Sequence, residues 1–212
     1  MLPAFRMLSH CSDRSSYLLE TSEANSKTKI FELGSYVIRR IALKVGFTIK
    51  KGINLAKLEA VMAVELQIRG PYPIGEQRLA VNIEGGSLLG IGAFEGKLAG
   101  NVIAPSGDVA VVQKTGTLER NVRLTARMED GSHLQMNYGG RTVPTEEFQR
   151  KVAAQEIIKG SEVYFKIQPT FRTESERHAW LNDFIFIGEM EEVVFPSPEI
   201  PGWVKYVVYR VL

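Results

Sequence analysis

RLTARMEDGSHLQMNYGGR, residues Arg123 to Arg141, is the stretch on which the fold turns. Two alternating runs flank Asp130-Gly131, and that dipeptide in such a setting signals a two-residue type I′ hairpin, whose central residues both take positive φ. With Asp130 and Gly131 as the loop, Glu129 faces Ser132, Arg127 faces Leu134, Thr125 faces Met136 and Arg123 faces Tyr138. On the other face Met128, Ala126 and Leu124 meet His133, Gln135 and Asn137. Neither face is wholly apolar in this register. A sandwich core demands one apolar face, whereas a barrel around a partly polar cavity does not.

Outward from the hairpin, strand-like runs follow one another with short breaks: EAVMAVELQI, RLAVNIEGGSL, AFEGKLAGNVI, DVAVVQKTG, TLERNVRLTARME, SHLQMNYG, SEVYFKIQPTF, WLNDFIFIGEM and WVKYVVYRV. Gly70, Pro71, Pro73 and Gly75 end the first of them. About nine strands at this spacing predict an antiparallel barrel or sandwich. One helix interrupts them, near residues 145–159: Thr145 caps it, Glu146 and Glu147 sit at its positive end, and Phe148, Val152 and Ile158 form its apolar stripe before Gly160. It either covers a barrel mouth or packs outside as a connector. HAWLNDFIFIG, His178 to Gly188, reads as a further buried strand with Trp180 and Asn182 on one face and Asp183 on the other.

Composition bounds the rest. The chain has 212 residues, 44% hydrophobic and 24% charged, with 19 glycines and 9 prolines, the values of a turn-rich globular protein. Its one cysteine, Cys11, excludes an internal disulfide and a cysteine-based zinc site, which places the chain in a reducing compartment, read as the cytoplasm. No run approaches the roughly 18 apolar residues of a membrane-spanning helix, so a soluble protein is expected. Residues 1–57 carry ten Lys/Arg against four Asp/Glu, and residues 58–212 carry sixteen against twenty. The mildly acidic body argues against a nucleic-acid surface. The division expected is a basic, partly disordered extension over 1–57 and a barrel domain over 58–212. Within the extension Val37, Ile41 and Val45 stand at helical spacing, which suits a membrane-surface element, a packing helix or a poorly ordered segment alike.

The order of EGGSLLG and FEGKLAGNVIAPSGD (Gly85, Gly86, Phe94, Gly96, Gly100, Asp108), of the hairpin with Asn137, Gly139 and Arg141, of VYFKIQPTF (Tyr164, Phe165, Pro169, Phe171) and of HAWLNDFIFIG resembles domain of unknown function 3237, also called UPF 0311. The resemblance runs from about residue 58 to the C-terminus. It implies a single soluble β-barrel, lipocalin-like or like a small outer-membrane barrel in shape, with no assigned activity and with its recurring polar positions lining the interior. Two positions depart from it: Tyr138 and Lys166 stand where arginine is common, which implies an altered charge inside the cavity and an altered ligand preference.

No nucleophile elbow, P-loop or dinucleotide fingerprint is present, and His10, His133 and His178 lack ligand spacing. Neither a cofactor nor a metal is expected. The candidates for ligand binding are Asp108, Arg123, Asn137, Tyr138, Arg141, Tyr164, Trp180 and Asn182. A guanidinium beside a phenol, Arg123 with Tyr138, binds a carboxylate or an enolate oxygen. Asn137 and Arg141 flank a glycine loop, and Trp180 with Asn182 makes an aromatic wall beside an amide. Each has a bland counterpart: a solvated arginine, a loop-satisfying polar group, a core tryptophan, a turn-shaping aspartate. The function expected is binding of a small aromatic molecule or carboxylate in the barrel. The alternatives are a cofactor-free enzyme, in which Arg123, Arg141 and Tyr138 stabilise negative charge while Asp108 or Asp183 moves protons, and a structural interaction module. A homo-oligomer is left open.

Overall fold

The structure is a computed structural model and describes residues 56–197 and 199–212. The basic extension, with its candidate helix, lies outside the described residues except for its last two. Among the described residues no helix is long and apolar enough to cross a membrane.

Nine strands form one antiparallel sheet: β1 (Leu58–Pro73), β2 (Arg78–Gly90), β3 (Ala99–Val112), β4 (Leu118–Met128), β5 (His133–Val143), β6 (Ile158–Lys159), β7 (Tyr164–Arg172), β8 (Phe186–Val194) and β9 (Gly202–Val211). β1 pairs with both β2 and β9, and β8 pairs with both β7 and β9, so eight strands close into a barrel and the two-residue β6 is an extra strand on β8. Closure removes the unpaired edges of an open sheet. The expected single barrel is what forms. Its strands are apportioned differently from the expectation: AGNVIAPSGDVAVV is one long strand, β3, and AFEGK lies outside any strand, with a 3-10 turn at Gly92–Phe94.

The hairpin differs from the expectation by one residue. β4 and β5 pair Ala126 with Leu134, Leu124 with Met136, Val122 with Tyr138 and Arg123 with Asn137. The loop has three residues: the Gly131 N–H donates to the Met128 carbonyl and the Met128 N–H to the Ser132 carbonyl, and Gly131, at φ +83°, takes the positive φ. A type I turn followed by a left-handed glycine needs one such residue where type I′ needs two. The extra loop residue brings even positions opposite even positions, so the apolar sets of both strands share the inner face and Arg123 points outward. A glycine is also demanded at Gly86, where φ is +146° and an added Cβ would lie 2.0 Å from the Glu65 carbonyl oxygen, beside the bulge in β2 at Glu84.

The barrel has two unlike halves. Towards the β4–β5 hairpin its interior is filled by Met62, Leu88, Leu124, Leu134, Met136 and Phe171, all fully buried. HAWLNDFIFIG is not one strand: Ala179–Asn182 form a 3-10 turn and β8 starts at Phe186. That turn closes this end, burying Leu181 and stacking Trp180 on Phe94 at 4.8 Å between ring centroids. Asn182 spans the loop, accepting from the Thr173 N–H at 3.0 Å and donating to its carbonyl at 2.9 Å.

His178 packs into the same end, 3% exposed, with Nε2 at 3.4 Å from Asp130 Oδ2. Burial holds its imidazole below the usual value, partly opposed by the carboxylate of Asp130. The unfolded chain therefore takes up a proton first as pH falls, so the stability that neutral His178 supplies is complete above the ordinary value near 6.5 and is lost as pH falls from there towards the folded value. The melting temperature should drop between pH 7.5 and 5.5, and His178→Gln should flatten that slope. An unchanged slope in the variant would assign it to other groups.

At the opposite end stands the helix α1 (Glu146–Ala154), capped by Thr145, whose hydroxyl accepts from the Phe148 N–H at 3.1 Å. It is shorter than expected. Gln155, at φ 53°, ends it, and Ile158 belongs to β6 rather than to a helical stripe. Phe148 meets Phe195 edge-on at 5.3 Å, which docks the helix on the chain after β8.

Candidate functional site

Beneath α1 the barrel is unfilled. A chamber of about 200 Å³ occupies this half, walled by Leu66, Ile83, Ala110, Val122 and other inward residues, and roofed by Phe148, Val152, Phe195 and Pro196. Half-buried apolar side chains, among them Leu79, Val81 and Leu118, lie towards its rim. Four polar side chains enter it: Asp108, Arg120, Tyr138 and Tyr206.

Asp108 faces the interior on the same side of β3 as Val102 and Ala110, just past an irregularity in the strand. The β3–β4 register shifts between Ile103 and Gly107, and Ser106 clamps the bulge by donating to the Ile103 carbonyl at 2.7 Å and accepting from the Thr125 N–H at 3.0 Å. The carboxylate accepts from the Asn121 N–H at 2.9 Å and from Arg120 at 3.2 Å. This ion pair is nearly dry, its side chains 5% and 10% exposed. The guanidinium carbon of Arg120 lies 5.0 Å from the ring centre of Phe165 and 5.8 Å from that of Phe195, and its Nε is buried without a partner. Tyr138 and Tyr206 meet edge-on at 5.9 Å. Burial pushes both phenols up, Tyr206 to about 12 despite the nearby Arg120 charge, and the contact between the hydroxyls raises Tyr138 further. Both carry their protons at neutral pH.

Of the eight sequence candidates the chamber brings together Asp108 and Tyr138. Arg123 is exposed opposite Asn137, on the outer face of the barrel, so the expected Arg123–Tyr138 pairing does not form. Arg141 is exposed and paired with Glu119 at 2.9 Å; Tyr164 is 55% exposed. Trp180 and Asn182 belong to the closed end, on a 3-10 turn rather than a cavity-facing strand. Lys166 is paired with Glu189 on the outer side at 2.6 Å and changes no charge in the chamber.

Arg120 and Tyr206 are the residues that sequence reasoning missed. Arg120 shares the parity of Val122, Leu124, Ala126 and Met128, and Tyr206 that of Val204 and Val208. Period-two alternation carried the signal in both cases.

Fold and site define a closed antiparallel barrel with an interior chamber that is apolar except for one ion pair and two phenols. The chain belongs to the family described as proteins of unknown function, DUF3237, which it matches over residues 56–211. A UPF0311 protein of Clostridium acetobutylicum is 31% identical over 135 residues, covering 61% of this chain and 82% of that one. Among solved structures, a conserved protein of unknown function from Rhodopseudomonas palustris shares the fold at TM-score 0.65 and 20% identity, covering 76% of this chain and all of the other. An enzyme from Penicillium herquei shares it at TM-score 0.50 and 15% identity, covering 77% of this chain and all of the other.

Proposed function

We propose that the chamber binds a small, flat organic molecule that carries an oxygen function. The observation that carries this reading is the unfilled half of the barrel, with a dry ion pair and two protonated phenols set into apolar walls. Interiors are normally close-packed, and a void of this size costs dispersion contacts unless something fills it. An apolar cavity of about 150 Å³ accommodates benzene, so the chamber suits one substituted ring. An interaction module would need no such space.

A second reading, cofactor-free proton-transfer chemistry, rests on the phenols: protonated hydroxyls in a dry site can donate to an oxygen on which negative charge develops. The likeness to the Penicillium herquei enzyme adds only that this fold carries catalysis in another protein.

The test is a thermal-shift screen of the full chain against monocyclic aryl ketones, phenols and aryl carboxylates, with Ala110→Leu as the control that occupies the chamber. A ligand should raise the wild-type midpoint by several degrees at saturation and leave the variant unmoved. Ligand-induced shifts of equal size in both proteins, or none at all, would end the chamber reading. For a bound ketone, accelerated exchange of its α-protons in deuterated buffer separates an enzyme from a carrier.

A further inference from the structure

Resting on that reading, we infer that the chamber selects uncharged ligands: an aromatic ring bearing a carbonyl or phenolic oxygen, and not the carboxylate that an arginine in a pocket ordinarily suggests. The argument is one of charge balance. The ionisable side chains lining the chamber are Asp108, Arg120, Tyr138 and Tyr206, and the two that are charged neutralise each other across 3.2 Å. An anion entering the chamber would meet a guanidinium whose charge Asp108 already balances, with only the uncompensated Nε–H of Arg120 to offer it. Two buried negative charges, the anion and Asp108, would then share a single positive one in an apolar chamber.

Among the described residues no other cationic side chain lines the chamber. On the elements that form the roof and rim, Lys151 is taken by Glu162 and Arg141 by Glu119. The guanidinium face is covered by Phe165 and Phe195, which leaves it part of an aromatic wall. An uncharged oxygen needs none of this rearranged. The phenols of Tyr138 and Tyr206 are hydroxyl donors on the same inner face as Val122 and Val204, and a carbonyl oxygen can accept from them while the ring lies against Phe148, Phe165 and Phe195. The ion pair then acts as a filter by charge: it polarises the chamber without offering a free charge of either sign.

Acetophenone and benzoate, nearly equal in shape and unlike in charge, are the probes. Binding of each to the full chain is measured by calorimetry or ligand-observed NMR at pH 7.5. Acetophenone should bind, with benzoate at least roughly 100-fold weaker. Asp108→Asn keeps an acceptor for the Asn121 N–H and removes the counter-charge of Arg120. It should therefore gain at least about tenfold in benzoate affinity while acetophenone changes little. Benzoate binding to the wild type as tightly as acetophenone would overturn the inference and leave the chamber a ligand site. Binding of neither, nor of any other compound screened, would overturn both. The wild-type comparison decides by itself if Asp108→Asn fails to fold.

Discussion

Arg120→Leu should lower the unfolding free energy by about 3–5 kcal/mol and the melting temperature by on the order of 10 °C. The cause lies in what remains. Asp108, 6% exposed, would keep its bond from the Asn121 N–H but lose its counter-charge inside an apolar chamber. The double variant Arg120→Leu/Asp108→Leu should recover most of that loss, because replacing a whole buried ion pair with apolar groups is often neutral or better. About 1 kcal/mol should stay unrecovered, since the Asn121 N–H loses its acceptor. Chemical denaturation of the wild type, both single variants and the double variant closes the cycle and yields the coupling energy. A single variant within about 1 kcal/mol of wild type would mean that water reaches the pair. If the cycle closes as expected, the ion pair adds little net stability, and its place in the chamber is better understood through what enters than through what holds the barrel together.

The barrel was legible because alternation survives in almost every strand, and a chain of short alternating runs with turn residues between them has few ways to bury its apolar faces. The site was half legible. Asp108 and Tyr138 are among the sequence candidates, the first as a residue of a turn and the second as the expected neighbour of Arg123, whereas Arg120 is not. The reason is one residue of hairpin register. Asp130-Gly131 suggested a two-residue loop, and under that pairing Leu124 met Asn137 and neither face was clean. Requiring Leu124, Ala126 and Met128 to share a face with Leu134 and Met136 would have forced the three-residue loop and turned Arg120 inward. Trp180 and Asn182 misled for another reason. In HAWLNDFIFIG the apolar residues fit a strand, but the first half spends its polar groups locally: Asn182 satisfies both backbone groups of Thr173, and the chain turns in a 3-10 helix that periodicity over so few residues cannot distinguish from a strand. The chamber itself could not be read from sequence. An unfilled volume depends on how side chains from eight strands and a helix meet.

The unequal halves of the barrel predict unequal responses to the same change. Phe171→Ala, in the filled half against Phe186 at 4.9 Å, should cost about 3–5 kcal/mol, since the deleted ring leaves a hole that a closed barrel cannot collapse. The sharper comparison uses two alanines that face the interior and are each 1% exposed, Ala126 in the filled half and Ala110 on the chamber wall. Ala126→Leu forces three further carbons among Leu134, Met136 and Met128 and should destabilise by about 1–3 kcal/mol. Ala110→Leu places the same carbons in empty space. Each methylene withdrawn from water contributes up to about 0.8 kcal/mol, so this variant should be neutral or more stable by about 1 kcal/mol. Denaturation midpoints of the two variants, measured side by side, decide the matter. Equal destabilisation would mean that the chamber closes up in solution, and the ligand site would go with it. Opposite signs would make the void a maintained feature of the protein, kept at a cost in stability that Ala110→Leu can relieve and that a bound ligand would relieve in the same way.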